Sequence, residues 1–346
     1  MAKTTFPEWA PQRNGFPTSD RAAQIKFLLR FAILAPSGHN AQPWRYEIDH
    51  ESGALLVNLE WSRVLRVSDP NDRITFMALG TTVRTFVRAA ECYGLAADAQ
   101  IVGEGTESYV RVTLTDARDN AEPSTDWIDA ITRRISNRSN FYKEELSEPL
   151  KARLTDFEVA GVEVRTYTSP EDKRALAHLT SISSKKLINS KTFRGELAQH
   201  VHPNTTTKRT GMPASGQGIP GPISPLAPFV VRHTKIGTWF SIKDRKQLTD
   251  APMIVVLITS GDSPHDWIRA GMAHGELFLR TTSERLALDT FAAATCDDDS
   301  RTRLAKRLGL DGYPQILVRT GRAKKQNRPH TPRLRVDDVF TEAPAV

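Results

Sequence analysis

The 346-residue sequence lacks the features that mark several common classes of protein. It contains only two cysteines, Cys92 and Cys296, which excludes a disulfide scaffold and leaves no cysteine spacing for a zinc site. No window approaches the roughly 18 uninterrupted apolar residues that a membrane helix needs, and the first residues contain no apolar signal-peptide core. We therefore expect a soluble protein of the reducing cytoplasm that does not enter a membrane.

Motifs for metals, reactive thiols and dinucleotides are also scarce. His200 and His202 have no third ligand that a regular element would place beside them, so we expect no metal site. Cys296 is followed by three aspartates and has no basic neighbour in sequence to lower its pKa, which argues against a reactive thiol. No Gly-x-Gly-x-x-Gly opens a helix after a predicted strand, and a dedicated dinucleotide domain is therefore absent.

Positive charge exceeds negative charge, with 47 Lys and Arg against 40 Asp and Glu and a formal net charge of +7. The densest basic cluster, over residues 319–328, has no interleaved aromatic residues of the kind that stack on bases. We therefore expect no nucleic-acid partner. The cluster instead predicts a solvated surface or the entrance to a site for a phosphorylated small molecule.

A polar segment over residues 35–44 (APSGHNAQPW) follows a predicted helix and combines small polar side chains with a flexible backbone. Pro36 ends the helix, and Gly38 lets the main chain approach a flat ligand closely. The side chains suited to the imide edge of such a ligand are those of Ser37, Asn40 and Gln42. The same residues also fit a plain polar loop that Pro43 and Trp44 pin to the core.

A second polar segment, RRISNR over residues 133–138, follows a helix predicted from Asp126 to Arg133. Once that helix ends, Arg134, Ser136 and Arg138 can converge on one phosphate through charge-assisted hydrogen bonds. A basic helix end that complements the helix dipole explains the same residues, and both interpretations stay open.

The first segment resembles the Pro-Ser-x-x-Asn-x-Gln-Pro-Trp signature of the FMN-dependent nitroreductase superfamily. Its Ser-Gly-His-Asn sequence most resembles the two-lobed, Acg-like branch of that superfamily. The second segment resembles the Arg-x-Ser-x-Arg/Lys phosphate-binding motif of that superfamily, and Pro332-Arg333 resembles its last phosphate-binding element. The resemblance implies an α+β, nitroreductase-like fold that binds FMN. The cofactor-binding residues that it implies are Pro36, Ser37, Gly38, Asn40, Gln42, Arg134, Ser136, Arg138 and Arg333.

The resemblance also implies an FMN-dependent NAD(P)H oxidoreductase. In this family the flavin N5 receives hydride from NAD(P)H and passes electrons to a nitroaromatic, a quinone or another activated small molecule, without a catalytic side chain or metal. A backbone N–H to N5 is expected from residues 290–296. Two alternatives stay open: an FMN-sequestering protein with an occluded flavin and little turnover, and a flavin-dependent dehydrogenase or oxidase of a biosynthetic pathway.

The order of predicted elements repeats along the chain. The helix predicted over residues 72–93 is echoed by one that begins at Ala270, and the strand over 109–114 is echoed by one over 315–321. We therefore predict two fused lobes, 1–125 and 126–346, each an antiparallel-rich sheet flanked by helices. The first carries the flavin-ring loop and the second the phosphate motif, so one FMN is expected between the lobes of a monomeric pseudo-dimer. Further homodimerisation stays open.

A segment over residues 193–239 has no counterpart in the first lobe. Its stretch GMPASGQGIPGPISP, residues 211–225, contains so many prolines and glycines that we expect no regular element there. A segment of this length inside a compact protein is usually functional or disordered. Its apolar residues favour a lid that docks on the site, and a disordered surface loop is the alternative.

Overall fold

The computed structural model describes residues 6–117, 126–217, 219–326 and 329–341. Its helices are α1 (Arg21–Ala32), α2 (Arg73–Glu91), α3 (Asp126–Arg133), α4 (Glu148–Thr155), α5 (Pro170–Asn189), α6 (Lys191–His200), α7 (Ala227–His233), α8 (Gly237–Thr249), α9 (Pro264–Ser283), α10 (Asp298–Leu308) and α11 (Val336–Val339). Its strands are β1 (Trp44–Ile48), β2 (Leu55–Leu59), β3 (Leu95–Val102), β4 (Tyr109–Asp116), β5 (Val162–Tyr167), β6 (Val201–His202), β7 (Met212–Pro213), β8 (Met253–Thr259), β9 (Ala287–Thr290), β10 (Tyr313–Gly321) and β11 (Phe340–Thr341). The expected α+β class is confirmed. Within these residues no helix combines the length and apolar character that a membrane span requires.

The first sheet has five strands in the order β11-β1-β2-β4-β3. β2 alternates fully buried and half-buried residues, as expected for a strand with one face on a core. β1, β2, β4 and β3 pair antiparallel, whereas β11 adds in parallel to the outer edge of β1 with Phe340 opposite Tyr46. The C-terminal strand therefore returns to the sheet formed by the N-terminal part of the chain. The lobe boundary after residue 125 falls beside residues 118–125, outside the described part.

The second sheet has four antiparallel strands in the order β5-β8-β10-β9. The predicted buried strand at residues 253–258 is confirmed as β8, in which every residue is buried. Successive side chains of a strand point to opposite faces. Accordingly, Val255 and Leu257 join one apolar core with α9, while Val256 and Ile258 join another with residues of α5 and α10. Both faces of this sheet are covered, which explains the uninterrupted apolar run.

The long helices α2 and α9 connect the cores of the two sheets and cross at a pair of glycines. A Cβ on Gly80 would lie 1.9 Å from the carbonyl oxygen of Ile268, and one on Gly271 would lie 2.0 Å from that of Met77. Thr81 Oγ1 donates a hydrogen bond to the Gly271 carbonyl at 3.1 Å across the same crossing. The two backbones approach this closely only because both residues lack a side chain.

The segment over residues 193–239 is more regular than expected. It includes most of α6, all of α7 and the start of α8, and β6 pairs in parallel with β7. The prediction of no regular element in residues 211–225 is therefore wrong at Met212–Pro213 and at the 3-10 turns that follow, including one over Gly221–Leu226. Gly211 adopts a φ of 76°, and this left-handed turn brings the chain back alongside β6. Gly218 lies outside the described residues.

Candidate functional site

The loop after α1 has an unusual backbone. His39, Asn40 and Gln42 adopt φ angles of 47°, 57° and 55°, in the left-handed region that side-chain-bearing residues rarely occupy. Ser37 Oγ accepts a hydrogen bond from the Gln42 backbone N–H at 2.9 Å, which closes the loop on itself. Gly38 packs so closely that a Cβ there would lie 3.1 Å from side-chain atoms of both Ile74 and Leu65. Clustered strain of this kind is characteristic of functional loops.

The Asn40 side chain joins three segments of the chain. Its Nδ2 donates to the carbonyl oxygens of Gly211 and Pro332, each at 2.9 Å, and its Oδ1 accepts from Arg333 Nη1 at 2.6 Å. The amide is buried, and its hydrogen bonds are made within the protein. Asn40 borders the site, but its amide holds protein segments together and is not free to bind the edge of a ligand.

Gln42 has a similar structural role. Its side chain is fully buried, Nε2 donates to the Arg209 carbonyl at 2.8 Å, and Oε1 accepts from the Leu334 N–H at 2.9 Å. Two cavities described below adjoin this loop, and Gln42 lines neither of them. A direct contact of Gln42 with a ligand stays a prediction, and in this structure both ends of its amide are occupied by backbone groups. Its amide ties the loop to two other segments of the chain, because Nε2 donates to the Arg209 backbone and Oε1 accepts from the Leu334 backbone.

A small cavity, the polar chamber, lies on one side of the loop and has a volume of about 110 Å³. Its walls include Trp9, Asn40, Arg134, Met212, His330 and Arg333. Arg134 follows the end of α3 and donates to the Leu34 carbonyl at 2.5 Å. Arg333 donates to Asn40 and to the carbonyls of Leu34 and Ala35, the latter two at 3.1 Å each. The polar chamber thus brings together two of the arginines selected from the sequence.

Both arginines of the polar chamber are buried without an anion. Arg134 is 4% and Arg333 1% exposed, and neither forms an ion pair with a carboxylate in the described ranges. The guanidinium carbons lie 5.4 Å and 4.8 Å from the Trp9 ring centroid, and the Nε of Arg333 has no hydrogen-bond partner. Burial lowers the pKa of Arg134 to about 9, and burial together with Arg134 lowers that of Arg333. Two desolvated cations with no counterion make this chamber chemically suited to an anion.

Ser136 and Arg138 lie at the open side of the polar chamber. The helix ends at Arg133, and the following residues are extended, with Ser136 bridging to Leu288 in parallel. Arg138 is 39% exposed, and its Nε lies 3.9 Å from Asp289 Oδ1. Arg134 and Arg138 therefore do not share a helical face. Arg134 occupies the buried end, whereas Arg138 borders the mouth.

A second cavity of about 220 Å³, the apolar chamber, adjoins the first. The two share Pro36, Ser37, His39, Ser136 and Arg138 as walls. Further walls of the apolar chamber are Gly38, Leu65, Ile74, Met77, Ala78 and Phe193. Residues 290–296, which were expected to face a ligand, contribute Thr290 at the end of β9 and Ala292, Thr295 and Cys296 from the loop that follows. The result is a two-chambered site with a charged end and a mostly hydrophobic end, separated by the strained loop.

Two titratable side chains of the apolar chamber, His274 and Cys296, are uncharged at neutral pH. Burial, aided by Arg134, lowers the pKa of His274 to about 4, and His274 Nε2 lies 3.1 Å from Thr290 Oγ1. Burial, with Asp297 nearby, raises the pKa of the Cys296 thiol to about 12. The thiol therefore stays protonated. In the described ranges no group of three or more His, Cys, Asp or Glu side chains is placed to hold a metal ion.

One part of the basic cluster differs from expectation. Arg319 is fully buried in β10, where all residues but the first are buried because both faces of the second sheet are covered, and it pairs with Asp289 at 3.1 Å. Arg322, Lys324 and Lys325 are exposed, as expected of a solvated surface. Residues 327 and 328 of the cluster lie outside the described part.

Comparisons with curated proteins find relatives that match along almost the whole chain. "Putative NAD(P)H nitroreductase acg" of Mycobacterium tuberculosis is 26% identical over 326 residues, covering 91% of this chain and 95% of the relative. "Probable NAD(P)H nitroreductase PigM" of Serratia sp. is 20% identical and covers 90% of this chain and 92% of its own. The chain is therefore similar, along almost its whole length, to curated proteins named as NAD(P)H nitroreductases.

No protein-family model matches the chain. Among solved structures, a nitroreductase with bound FMN from Desulfitobacterium hafniense is 15% identical, with a TM-score of 0.39 over 64% of this chain and 99% of its own. The FMN and NADPH-dependent nitroreductase NfnB of a sphigopyxis strain is 17% identical, with a TM-score of 0.41 over 63% and 99%.

Several residues at the site carry no recognisable sequence signal. Trp9 stacks on His330 with ring centroids 4.0 Å apart, and its Nε1 donates to the Thr331 carbonyl at 2.8 Å. Arg73 is buried and donates to the carbonyls of Gln315, at 2.8 Å, and Thr295, which fixes the loop after β9. Each contact joins residues more than 200 positions apart, so local patterns do not indicate them. The run Pro7-Glu8-Trp9 is the only hint that the N-terminal segment packs on the site.

Proposed function

We propose that this chain is an FMN-dependent oxidoreductase of the nitroreductase type. It takes electrons from NAD(P)H and passes them to a nitroaromatic, a quinone or another activated small molecule. Curated relatives named as NAD(P)H nitroreductases, matched over at least 90% of both chains, support the reaction class. The observation that carries the proposal is the buried arginine pair, Arg134 and Arg333, at the closed end of a two-chambered site.

The polar chamber fits a terminal phosphate. A dianion there would supply the counterion that Arg134 and Arg333 lack, and would reach the orphaned Nε of Arg333. Ser136 and Arg138 border the chamber from the second segment, and Ser37 borders it from the loop. These five residues would hold the phosphate end of FMN. Charge-assisted hydrogen bonds in a desolvated chamber are among the strongest that proteins make.

The apolar chamber fits a flat ring system. Its hydrophobic walls, including Leu65, Ile74 and Met77, offer apolar contact, and the loop carrying Pro36 and Gly38 passes close to them. FMN bound there supplies hydride transfer, so no reactive side chain is required. The protein's part is to exclude water, to position the second substrate and to manage protons.

A single FMN per chain follows from the placement of these residues. The described part of the chain holds one strained loop of this type and one buried arginine pair, and Asn40 and Arg333 bond them together. The loop belongs to lobe 1–125, whereas Arg134 and Arg333 belong to lobe 126–346. We propose that the chain is a pseudo-dimer whose two halves share one site.

Flavin sequestration is a second candidate function because the segment over residues 193–239 reaches both chambers. Met212 and Gly216 line the polar chamber, and Phe193 lines the apolar one. Two hydrogen bonds join Gly211 to Asn40. The Gly211 N–H donates to the Asn40 carbonyl at 3.2 Å, and Asn40 Nδ2 donates to the Gly211 carbonyl. A cover anchored in this way would hinder access of a nicotinamide to the flavin, and we propose that the segment is a lid.

Anaerobic mixing of the purified, FMN-loaded chain with NADPH or NADH tests the proposal and separates the candidates. An oxidoreductase loses its flavin absorbance rapidly with at least one nicotinamide and regains it when a quinone is added. A sequestering protein keeps its absorbance with both. Bleaching by a non-nicotinamide substrate alone would favour the biosynthetic dehydrogenase or oxidase, and a chain that binds no FMN would contradict all three.

A further inference from the structure

His39, Ser68 and Glu196 form a chain of hydrogen bonds from the loop at the site to helix α6. His39 Nε2 lies 3.1 Å from Ser68 Oγ, and the Ser68 hydroxyl donates to Glu196 Oε1. The Glu196 carboxylate also accepts from the backbone N–H groups of Val67 and Ser68, each at 2.8 Å. Burial disfavours the ionised carboxylate, but these hydrogen bonds outweigh it and hold the pKa of Glu196 below its usual range. Glu196 is therefore ionised at neutral pH and acts only as an acceptor.

The direction of these hydrogen bonds fixes the tautomer of the His39 ring. The single hydrogen of the Ser68 hydroxyl points to Glu196, so Ser68 Oγ accepts from His39. His39 therefore carries its proton on Nε2 and a lone pair on Nδ1. Burial, helped by His200 and Arg138 and opposed by Glu196, lowers the pKa of His39 to about 4. The ring is neutral at pH 7, and its Nδ1 is a hydrogen-bond acceptor.

Nδ1 of His39 is free to accept a hydrogen bond from a ligand. Among the described residues it has no protein partner, and it does not belong to the fully buried polar atoms that lack one. A lone pair on nitrogen attracts an O–H or N–H group and repels the oxygens of a phosphate. The ligand atom that meets Nδ1 must therefore be a donor, and neither a phosphate dianion nor an apolar ring edge supplies one.

The position of His39 indicates which part of FMN lies beside it. His39 lines both the polar and the apolar chamber, as do Ser37 and Arg138. Under the proposed function the phosphate occupies the polar chamber and the flavin ring occupies the apolar chamber. The shared walls then face the ribityl chain that links these two groups. The ribityl chain carries hydroxyl groups, which are hydrogen-bond donors.

We propose, building on the proposed function, that His39 accepts a hydrogen bond at Nδ1 from a ribityl hydroxyl of FMN. Ser68 and Glu196 are positioning residues, because together they hold the tautomer that accepts. A φ of 47° at His39 and the hydrogen bond to Ser68 keep the ring at the boundary between the chambers. The contact adds recognition of the linker to the recognition of the phosphate by Arg134 and Arg333.

Glu196 controls the polarity of this contact from outside the site. It lines a surface groove and neither chamber, so it acts on the flavin only through Ser68 and His39. Without the carboxylate, the Ser68 hydroxyl is free to donate to Nε2, and the proton of the neutral ring moves to Nδ1. That nitrogen then donates instead of accepting. The tautomer of His39 therefore depends on a carboxylate of α6, in the segment proposed as a lid.

The first test reads the tautomer by ¹⁵N NMR of the His39 ring and does not depend on activity. At neutral pH we expect a protonated Nε2 and an unprotonated Nδ1 in both the flavin-free and the FMN-loaded chain. The Nδ1 resonance should shift when FMN binds, because Nδ1 gains a hydrogen bond. The shift should be much smaller with a flavin phosphate whose linker is an unsubstituted pentyl chain. A protonated Nδ1 in the wild type, or the same Nδ1 shift with both flavins, overturns the proposal.

The same spectrum tests the positioning role of Glu196. Glu196→Ala should move the proton of the His39 ring to Nδ1. Gln199→Ala changes another residue of α6 that lines the same surface groove, and it should leave the proton on Nε2. An unchanged tautomer in Glu196→Ala, or the same change in both variants, would contradict the role of Glu196.

The second test compares the affinities of the flavin-free chain for FMN and for the pentyl-linked analogue. The factor by which FMN binds more tightly should be about tenfold larger in wild type than in His39→Gly, because the hydrogen bond is lost with the histidine. Comparing the two factors removes the contribution of other contacts to the hydroxyls. Glycine accepts the φ of 47°, so the loop is preserved, and the NMR test of the wild type needs no variant. Equal factors in wild type and His39→Gly overturn the proposal.

The outcomes separate this contact from the proposed function. A chain that binds no FMN contradicts both. A chain that binds FMN but keeps its absorbance with NADPH and NADH contradicts the oxidoreductase alone, because the ribityl contact requires only bound FMN. Rapid bleaching by a nicotinamide, together with equal factors in wild type and His39→Gly, contradicts the ribityl contact alone.

Discussion

Arg333 donates a hydrogen bond from Nη1 to Oδ1 of Asn40 at 2.6 Å, although 293 positions separate the two residues. The contact joins the strained loop after α1 to the C-terminal segment that precedes α11. It also orients the Arg333 guanidinium, whose Nε is left without a protein partner beside the polar chamber. The residues that resemble two separate sequence motifs are therefore parts of one buried arrangement.

Replacing Asn40 by glycine should destabilise the chain. The carbonyls of Gly211 and Pro332 and one donor of Arg333 would lose their partner, at a cost of about 2–3 kcal/mol in the free energy of unfolding. Glycine tolerates the φ of 57°, so the loss reports the side chain and not the backbone. Urea unfolding measures it, with Asn14→Gly at an exposed position as control. Equal unfolding midpoints for Asn40→Gly and wild type would show that the hydrogen bonds of the Asn40 side chain do not stabilise the fold.

Replacing Arg134 by methionine should have opposite effects on the free and the FMN-bound protein. Without ligand the variant loses a buried, unpaired charge, and its melting temperature should equal or exceed that of wild type. The rise in melting temperature that FMN gives the wild type should largely disappear. Arg138→Ala, at a position 39% exposed, should weaken FMN binding less. Arg30→Met at an exposed position is the control, and an undiminished FMN shift in Arg134→Met would refute the phosphate assignment.

The helix crossing gives a prediction about packing. Gly80→Ala and Gly271→Ala each force a methyl group into a backbone carbonyl of the opposite helix, and should each lower the free energy of unfolding by about 1–3 kcal/mol. Gly195→Ala in α6 meets open space and should be neutral or slightly stabilising, because alanine favours the helix. Chemical denaturation of the three variants checks the crossing. Loss of stability in Gly195→Ala alone would contradict it.

His274 predicts a dependence of stability on pH. Its pKa in the folded chain, about 4, lies below the usual 6.5, so between these values the unfolded chain binds the proton and the folded chain does not. Stability contributed by neutral His274 is therefore full above pH 6.5 and is lost as the pH falls toward 4. His274→Gln should flatten the slope by up to about 1.4 kcal/mol per pH unit in this window. Exposed His178→Gln is the comparison, and identical slopes for wild type and His274→Gln would exclude the effect.

The local elements could be predicted because local rules govern them. Asp20 accepts hydrogen bonds from Ala22 and Ala23 at the start of α1, as an N-cap does, and β8 follows from its apolar run. The segment over residues 193–239 was harder because its regularity depends on contacts with distant residues such as Asn40. The prolines and glycines there indicated a loop, whereas tertiary anchoring produces β7 and a series of 3-10 turns.

The site could be predicted as a set of residues but not as a set of roles. The sequence pointed to Arg134 and Arg333, and both line the polar chamber. It gave Asn40 and Gln42 a ligand-facing role, whereas their amides are hydrogen-bonded to distant backbone groups. Trp9 was absent from the prediction because its partners lie more than 300 positions away. Contacts between residues so far apart in the sequence are set by the fold, and no local sequence pattern indicates them.

Titration of the flavin-free chain with FMN and with riboflavin measures whether the buried arginine pair binds the phosphate of one flavin. We expect one equivalent of FMN per 38.6-kDa chain and an affinity about 100-fold higher for FMN than for riboflavin, because only FMN carries the phosphate that meets Arg134 and Arg333. Binding of no FMN, of two equivalents, or of both flavins with equal affinity would contradict it.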